Sequence, residues 1–183
     1  MATYQSLIGL LAVTGMRVGE AIRLDRADLD LAAGVVTVRQ AKFGETRLLP
    51  LHPDTTAALR GYLRLRGRLC PGPRTAAVFI SPAGTRLLYC NVHATWKLLI
   101  ASAGLTARSA ACRPRIHDLR HSFAVRALLD AYAAGQDGQA RLALLSAYMG
   151  HTDPVHTYWY LSAAPELLAL AGQRLEDHLA SPP

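Results

Sequence analysis

A single β-branched run, Val35-Val36-Thr37-Val38, stands in a chain whose other apolar residues recur mostly at helical spacing. The polar turn Lys42-Phe43-Gly44-Glu45 follows it, and then Arg47-Leu48-Leu49-Pro50-Leu51. Two such runs across a short polar turn predict a hairpin. Ala77-Val78-Phe79-Ile80 reads as a third short strand. With 183 residues, 51% of them hydrophobic, the chain is long and apolar enough to bury a core. The expected fold is therefore mainly α with a small three-stranded antiparallel β-sheet, an α+β domain.

The helical segments are read from apolar spacing and from their breakers. Tyr4 to Val13 is interrupted by Thr14-Gly15, and Val18, Ala21 and Ile22 mark a second short helix. Asp25 to Asp30 reads as a polar turn. Asp54 to Leu69 is helical up to Pro71-Gly72-Pro73, and Asn91 to Ala103 up to Gly104. After a loop of small and basic residues from Ala107 to Pro114 come His117 to Tyr132 and Ala140 to Met149, the latter stopped by Gly150. Pro165 suits the first position of a last helix reaching about Leu179. Its Leu167, Leu168, Leu170, Ala171, Leu175 and Leu179 form an apolar surface fit either for assembly or for docking on its own domain.

Charge narrows the partner. Twenty Lys+Arg against thirteen Asp+Glu give a net charge of +7, which favours a polyanion. All but two of the basic residues, Lys42 and Lys97, are arginine, whose planar fork matches phosphate. Arg60, Arg64 and Arg68 recur at i, i+4 and i+8 on one predicted helix, and Arg113 and Arg115 flank Pro114; these five are the expected DNA-binding residues. Cys70, Cys90 and Cys112 make neither a disulfide framework nor a metal motif, as expected in a reducing cytoplasm. The apolar runs fall short of the ~18 residues of a membrane span, and Met1-Ala2-Thr3-Tyr4-Gln5 lacks a basic secretory start. Asp25, Asp28 and Asp30 crowd one turn and read as capping rather than as a nuclease metal site. Phosphate-binding glycine motifs of nucleotide enzymes are missing, so neither cofactor nor metal is expected.

Four separated segments carry the remaining chemistry. They are Thr14-Gly15-Met16-Arg17-Val18-Gly19-Glu20, Lys42 in the hairpin turn, His117-Asp118-Leu119-Arg120-His121, and Met149-Gly150-His151 followed by Tyr160. Together they resemble the tyrosine recombinases, or phage integrase family. The first is similar to that family's TGxRxxE box and the third to its HxxR box. The fourth resembles its LGH box, with Met149 in place of Leu, and Tyr160 lies nine residues past His151, where the family's nucleophile stands. The resemblance spans about Leu7 to Leu175 and implies the tyrosine-recombinase catalytic-domain fold of DNA breaking-rejoining enzymes. It implies site-specific recombination or integration of double-stranded DNA through a covalent 3′-phosphotyrosyl intermediate, by a homo-tetramer on paired sites.

The chemistry of each residue type suits the role that the resemblance implies. Arg17 and Arg120 offer two forks to the non-bridging oxygens of an anionic phosphodiester, in place of a metal. His117 and Arg120, at i and i+3, would share one helix face. His151 can donate to a phosphate oxygen, or serve a helix end. Lys42 can give the leaving 5′-oxygen a proton, which arginine cannot near neutral pH, although a solvated turn also carries lysine. Tyr160 is the expected nucleophile, its phenolate favoured by the surrounding positive charge. Tyr158 and Trp159 are expected to pack. Glu20 and Asp118 are expected to orient the arginines or to be helix-surface charges, and His121 to give structural support.

The six catalytic positions should edge one basic concave face. Residues 1–183 are expected to be a single catalytic domain lacking the N-terminal core-binding domain usual in the family. The alternatives are relaxation of DNA as by a type IB topoisomerase, which uses the same chemical parts, and a non-catalytic DNA-binding remnant.

Overall fold

The computed structural model describes residues 1–39, 46–107, 109, 112–150, 169, 172 and 176. Lys42, His151, Tyr160 and most of the expected last helix lie outside the described residues. By its internal contacts the chain divides into two compact units, Met1–Arg120 and His121–Pro183.

The first unit opens with helix α1, Ala2–Thr14, which buries Leu7, Leu10, Leu11 and Thr14. That i, i+3, i+4, i+7 set faces helix α3, Pro53–Leu69, which buries Thr56, Leu59, Tyr62 and Arg66. Pro53 sits at the first helical position, where its missing N–H has no intrahelical partner to lose, and His52 accepts from the Asp54 amide. Leu7 is fully buried, and its truncation to alanine should destabilise the fold by about 2–5 kcal/mol. Gly15 closes α1 in the left-handed conformation, φ 61°, donating to the Leu11 carbonyl. The short helix α2, Val18–Arg23, starts three residues later.

A 3-10 turn at Arg26–Asp28 leads into the sheet: β1 Leu29–Asp30, β2 Val35–Val38 and β3 Arg47–Pro50. All pairs are antiparallel in the order β1-β2-β3, with Val36 opposite both Leu29 and Leu49, and Val38 opposite Arg47. The sheet has the expected three strands, but its third member differs from expectation. Leu29–Asp30 takes that place, inside the segment read as a polar turn, whereas Ala77–Ile80 makes only isolated bridges.

The reason lies in where the backbone groups of Ala77–Ile80 are satisfied. Arg66 Nη2 donates to the Ala77 carbonyl at 2.8 Å, Tyr62 Oη donates to the Val78 carbonyl at 3.1 Å, and the Val78 amide donates to Leu24. The segment is buried because α3 and the α2 exit cover it, so its apolar run reports burial without sheet pairing. Helix α4, Tyr89–Ser102, follows and begins two residues before the expected start. Trp96 Nε1 ties it to the Pro114 carbonyl at 3.2 Å.

Helix α5 runs Asp118–Ala133 and helix α6 runs Gly138–Met149. Asp137 caps α6 by accepting from the Gln139 and Ala140 amides, and Gly150 ends it at φ 67°. Ala124 and Leu128 of α5 close on Leu142, Leu145 and Met149 of α6, with Phe123 stacked on Tyr148 at 5.6 Å. Among the described residues no helix is long and apolar enough to cross a membrane.

Candidate active site

The site is built on the break between α1 and α2. Arg17 is the N-cap residue of α2, in extended conformation, and Glu20 is its third helical residue. The Glu20 carboxylate reaches back, so Oε2 accepts the Arg17 amide at 2.9 Å and Oε1 accepts Arg17 Nη1 at 3.0 Å. A second arginine closes on the same carboxylate. Arg47, the first residue of β3, donates Nη1 to Oε1 at 3.1 Å and Nη2 to Oε2 at 2.8 Å, a bidentate pair. Glu20 is 3% exposed. Burial by itself would push its carboxyl up, but the hydrogen bonds and charge of Arg47, together with the Arg17 amide and guanidinium, outweigh burial and hold it below the usual carboxylate range. Two guanidinium groups against one carboxylate leave this centre with one positive charge in excess.

Arg120 belongs to the same place. Its side chain is buried, and Nη1 donates to the Gly15 carbonyl at 2.6 Å. Gly15 and Arg17 are two positions apart, so both arginines are anchored on the segment from Gly15 to Glu20. His117 stands in the turn just before α5 rather than within the helix, and its carbonyl accepts the Arg120 amide at 3.0 Å. The shared helix face expected for His117 and Arg120 is thus a turn packed against a first helical turn. His117 is exposed at its surface, yet partial desolvation of its ring lowers its pKa first, and the guanidinium groups of Arg120, Arg115 and Arg17 lower it further, against an opposing effect of Asp118. At neutral pH the imidazole is therefore uncharged.

The other expected residues are placed as follows. Asp118 accepts the Arg115 amide at 2.7 Å and Arg115 Nε at 3.3 Å, and so closes the turn that carries His117. His121 is half-buried on α5. Arg60, Arg64 and Arg68 are exposed on α3, with Arg60 Nη2 donating to the Leu31 carbonyl. Arg113 and Arg115 are exposed. The acidic turn is capping. Asp28 accepts the Asp25 amide, Asp25 pairs with Arg86, and Asp30 accepts the Ala32 and Ala33 amides. Among the described residues no group of three His, Cys, Asp or Glu side chains could hold a metal ion.

Arg47 and the Gly15 carbonyl were not anticipated. The partner of Arg47 lies 27 positions earlier in the chain, so local spacing carries no sign of the pair. The available signal was an arginine opening a strand whose neighbours Leu48 and Leu49 are apolar.

Residues 1–166 match the model of the phage integrase family. The chain belongs to that family. The putative integrase/recombinase y4rB of Sinorhizobium fredii is 43% identical over 175 residues, covering 95% of this chain and 56% of that protein. Tyrosine recombinase XerC of Pseudomonas putida (strain W619) is 36% identical over 156 residues, covering 85% of this chain and 46% of that protein. The XerA recombinase crystal structure superposes with a TM-score of 0.75 at 23% identity, over 100% of this chain and 58% of that one, and so supports the fold. The XerH site-specific recombinase bound to its palindromic difH substrate gives 0.70 at 25% identity, over 96% of this chain and 46% of that one. This phage integrase family member therefore has the tyrosine-recombinase catalytic-domain fold, and it spans about half the length of the curated relatives it matches.

Proposed function

We propose that residues 1–183 act as one catalytic domain of a site-specific DNA recombinase. Tyr160 attacks the scissile phosphate, its oxygen bonds to phosphorus, and the 5′-oxygen leaves, giving a 3′-phosphotyrosyl chain and a free 5′-hydroxyl. The carrying observation is that Arg17 and Arg120 are both held on the segment from Gly15 to Glu20. Their forks neutralise charge developing on the two non-bridging oxygens, so the reaction runs without metal or nucleotide. His117 is suited to take the Tyr160 proton because its imidazole is uncharged. Lys42 protonates the leaving oxygen and His151 donates to a phosphate oxygen. A second strand's 5′-hydroxyl then attacks the phosphotyrosine and returns the phenol, so the energy of the broken bond is conserved.

The substrate is double-stranded DNA in the cytoplasm, brought together as paired sites by four copies of the protein. Arg60, Arg64, Arg68, Arg113 and Arg115 contact phosphates, and this binding weakens steeply as salt rises. Relaxation of supercoils by the same parts is less favoured, since the family match and the named relatives are integrases and recombinases.

The test is covalent capture. The chain is incubated with a pool of duplexes carrying a nick within randomised sequence, with chelator present, and resolved under denaturing conditions. Wild type and Tyr158→Phe should both give an adduct, mapping by peptide mass to Tyr160. Tyr160→Phe should bind DNA and give none. Lys42→Ala should react slowly and recover on DNA with a better 5′ leaving group. An adduct on Tyr158 or on a serine, or one abolished by chelator, overturns the reading.

A further inference from the structure

We propose that Arg47 is a positioning residue for strand cleavage: by gripping both oxygens of Glu20, it holds the carboxylate in the one arrangement that aims Arg17 outward at the scissile phosphate. The proposal rests on the recombinase reading above and extends it to a residue outside the four boxes.

The geometry supplies the argument. A carboxylate offers about four lone-pair sites. On Glu20 each oxygen receives two donors: Oε1 from Arg17 Nη1 and Arg47 Nη1, Oε2 from the Arg17 amide and Arg47 Nη2. With Arg47 in place the carboxylate is filled, and Arg17 reaches it end-on through a single Nη. Without Arg47 two sites open on a buried carboxylate. Arg17 could then fold onto Glu20 with both arms, a stronger pair than the present one, and its fork would turn from the phosphate to the protein. Exposure separates the two roles. The Arg17 side chain is 31% exposed, whereas that of Arg47 is 13% exposed. Arg47 therefore acts through Glu20, not on the phosphate.

Lysine at position 47 keeps the charge and loses the fork, so Arg47→Lys is the primary variant. Adduct formation by the 183-residue chain is measured on the nicked pool at saturating DNA, with thermal melting and DNA affinity measured alongside. Arg47→Lys should melt near wild type and bind DNA as wild type does, but react ~10- to 100-fold more slowly, the scale set by a displacement of about 1 Å at a reacting group. The decisive arm is coupling. In an Arg17→Ala background, followed to long times, adding Arg47→Lys should change the remaining rate less than about twofold, because the aim it sets is already gone. Should Arg47→Lys fail to fold, Arg47→Ala supplied with methylguanidinium replaces it, and the added cation should restore the rate. Losses that multiply in the Arg17→Ala background, a wild-type rate for Arg47→Lys, or no recovery with methylguanidinium each overturn the proposal. A wild-type chain that forms no adduct refutes the recombinase reading first and this proposal with it. Wild-type reaction with uncoupled variants refutes this proposal alone.

Discussion

Two capping turns, eight residues apart, use the same device to different ends. At Arg17–Glu20 and again at Asp25–Asp28, an acidic residue three positions into a helical turn accepts the amide of the N-cap residue, at 2.9 Å in both. Both acids are buried, Glu20 at 3% and Asp28 at 6% exposure. Both also meet an arginine arriving from the hairpin strands or their ends. Around Asp28 the device serves structure. Its N-cap is aspartate, a favoured capping residue, and Arg39 Nε lies 2.5 Å from Oδ1 as an ion pair out of line for a hydrogen bond. Around Glu20 the N-cap is an arginine, a residue with nothing to offer the orphan amides of a helix start. The acid is instead saturated by two guanidinium groups. An unfavourable capping choice inside an otherwise complete capping turn is what the proposed catalytic role of Arg17 would account for.

The sharpest way to break this comparison is to repair the odd member. Arg17→Ser installs a good N-cap, leaves Arg47 on Glu20, and should keep thermal stability within about 1 kcal/mol of wild type or raise it. Adduct formation on the nicked pool should nevertheless fall by ~10²- to 10³-fold, the scale of losing one preorganised donor at a developing charge. A folded Arg17→Ser chain that cleaves at the wild-type rate would show the arginine to be an ordinary surface residue.

Removing the acids should separate the turns next. Glu20→Ala leaves two arginines facing each other, one of them largely buried, and should cost about 3–5 kcal/mol in urea unfolding. Asp28→Ala removes a cap and one poorly aligned pair, and should cost about 1–2 kcal/mol while leaving the cleavage rate of the folded fraction unchanged. Equal losses would mean that the two turns do the same work.

The order of these effects tracks what could be read from the sequence. Arg17, Glu20, His117 and Arg120 were legible because each lies within one turn of a marker: a glycine that ends a helix, or a second polar residue at helical spacing. The α1 to α3 helices, the hairpin strands and the Gly150 stop were legible for the same reason, since periodicity and breakers act over a few residues. What failed needed long-range information. Ala77–Ile80 has the apolar pattern of a strand, but its carbonyls are held by Tyr62 and Arg66 of α3. The strand that does pair, Leu29–Asp30, is two residues long and adjoins an acidic turn, too short for any alternation to register. Arg47 carries only the weak local mark of an arginine beside apolar strand residues, because its meaning is set by a carboxylate on another element.

The smallest expected effect is on pH dependence, and there the two titrating groups of the site are lowered for opposite reasons. Glu20 is held below its ordinary value, so its contribution to stability is complete above the unfolded carboxyl pKa and is lost as pH falls through the folded one. His117 is also lowered, but for a base that sign is unfavourable. The unfolded chain takes up a proton near 6.5 while the folded chain still resists it, so stability is full above that pH and declines below it. His117→Asn should therefore flatten the decline below about pH 6.5, whereas Glu20→Gln, which removes the Glu20 contribution already at neutral pH, should flatten only the loss at more acidic pH. A phosphate placed between Arg17 and Arg120 offsets the charges that lower the His117 pKa, so DNA binding should raise it and draw a proton onto the imidazole below neutral pH, while at neutral pH and above the ring stays uncharged and able to take the Tyr160 proton. Binding titrated calorimetrically in two buffers of different ionisation heat near pH 6.5 should report that uptake, and His117→Asn should abolish it. Uptake that persists in His117→Asn would move the proton to another group and leave His117 outside the phosphate's reach.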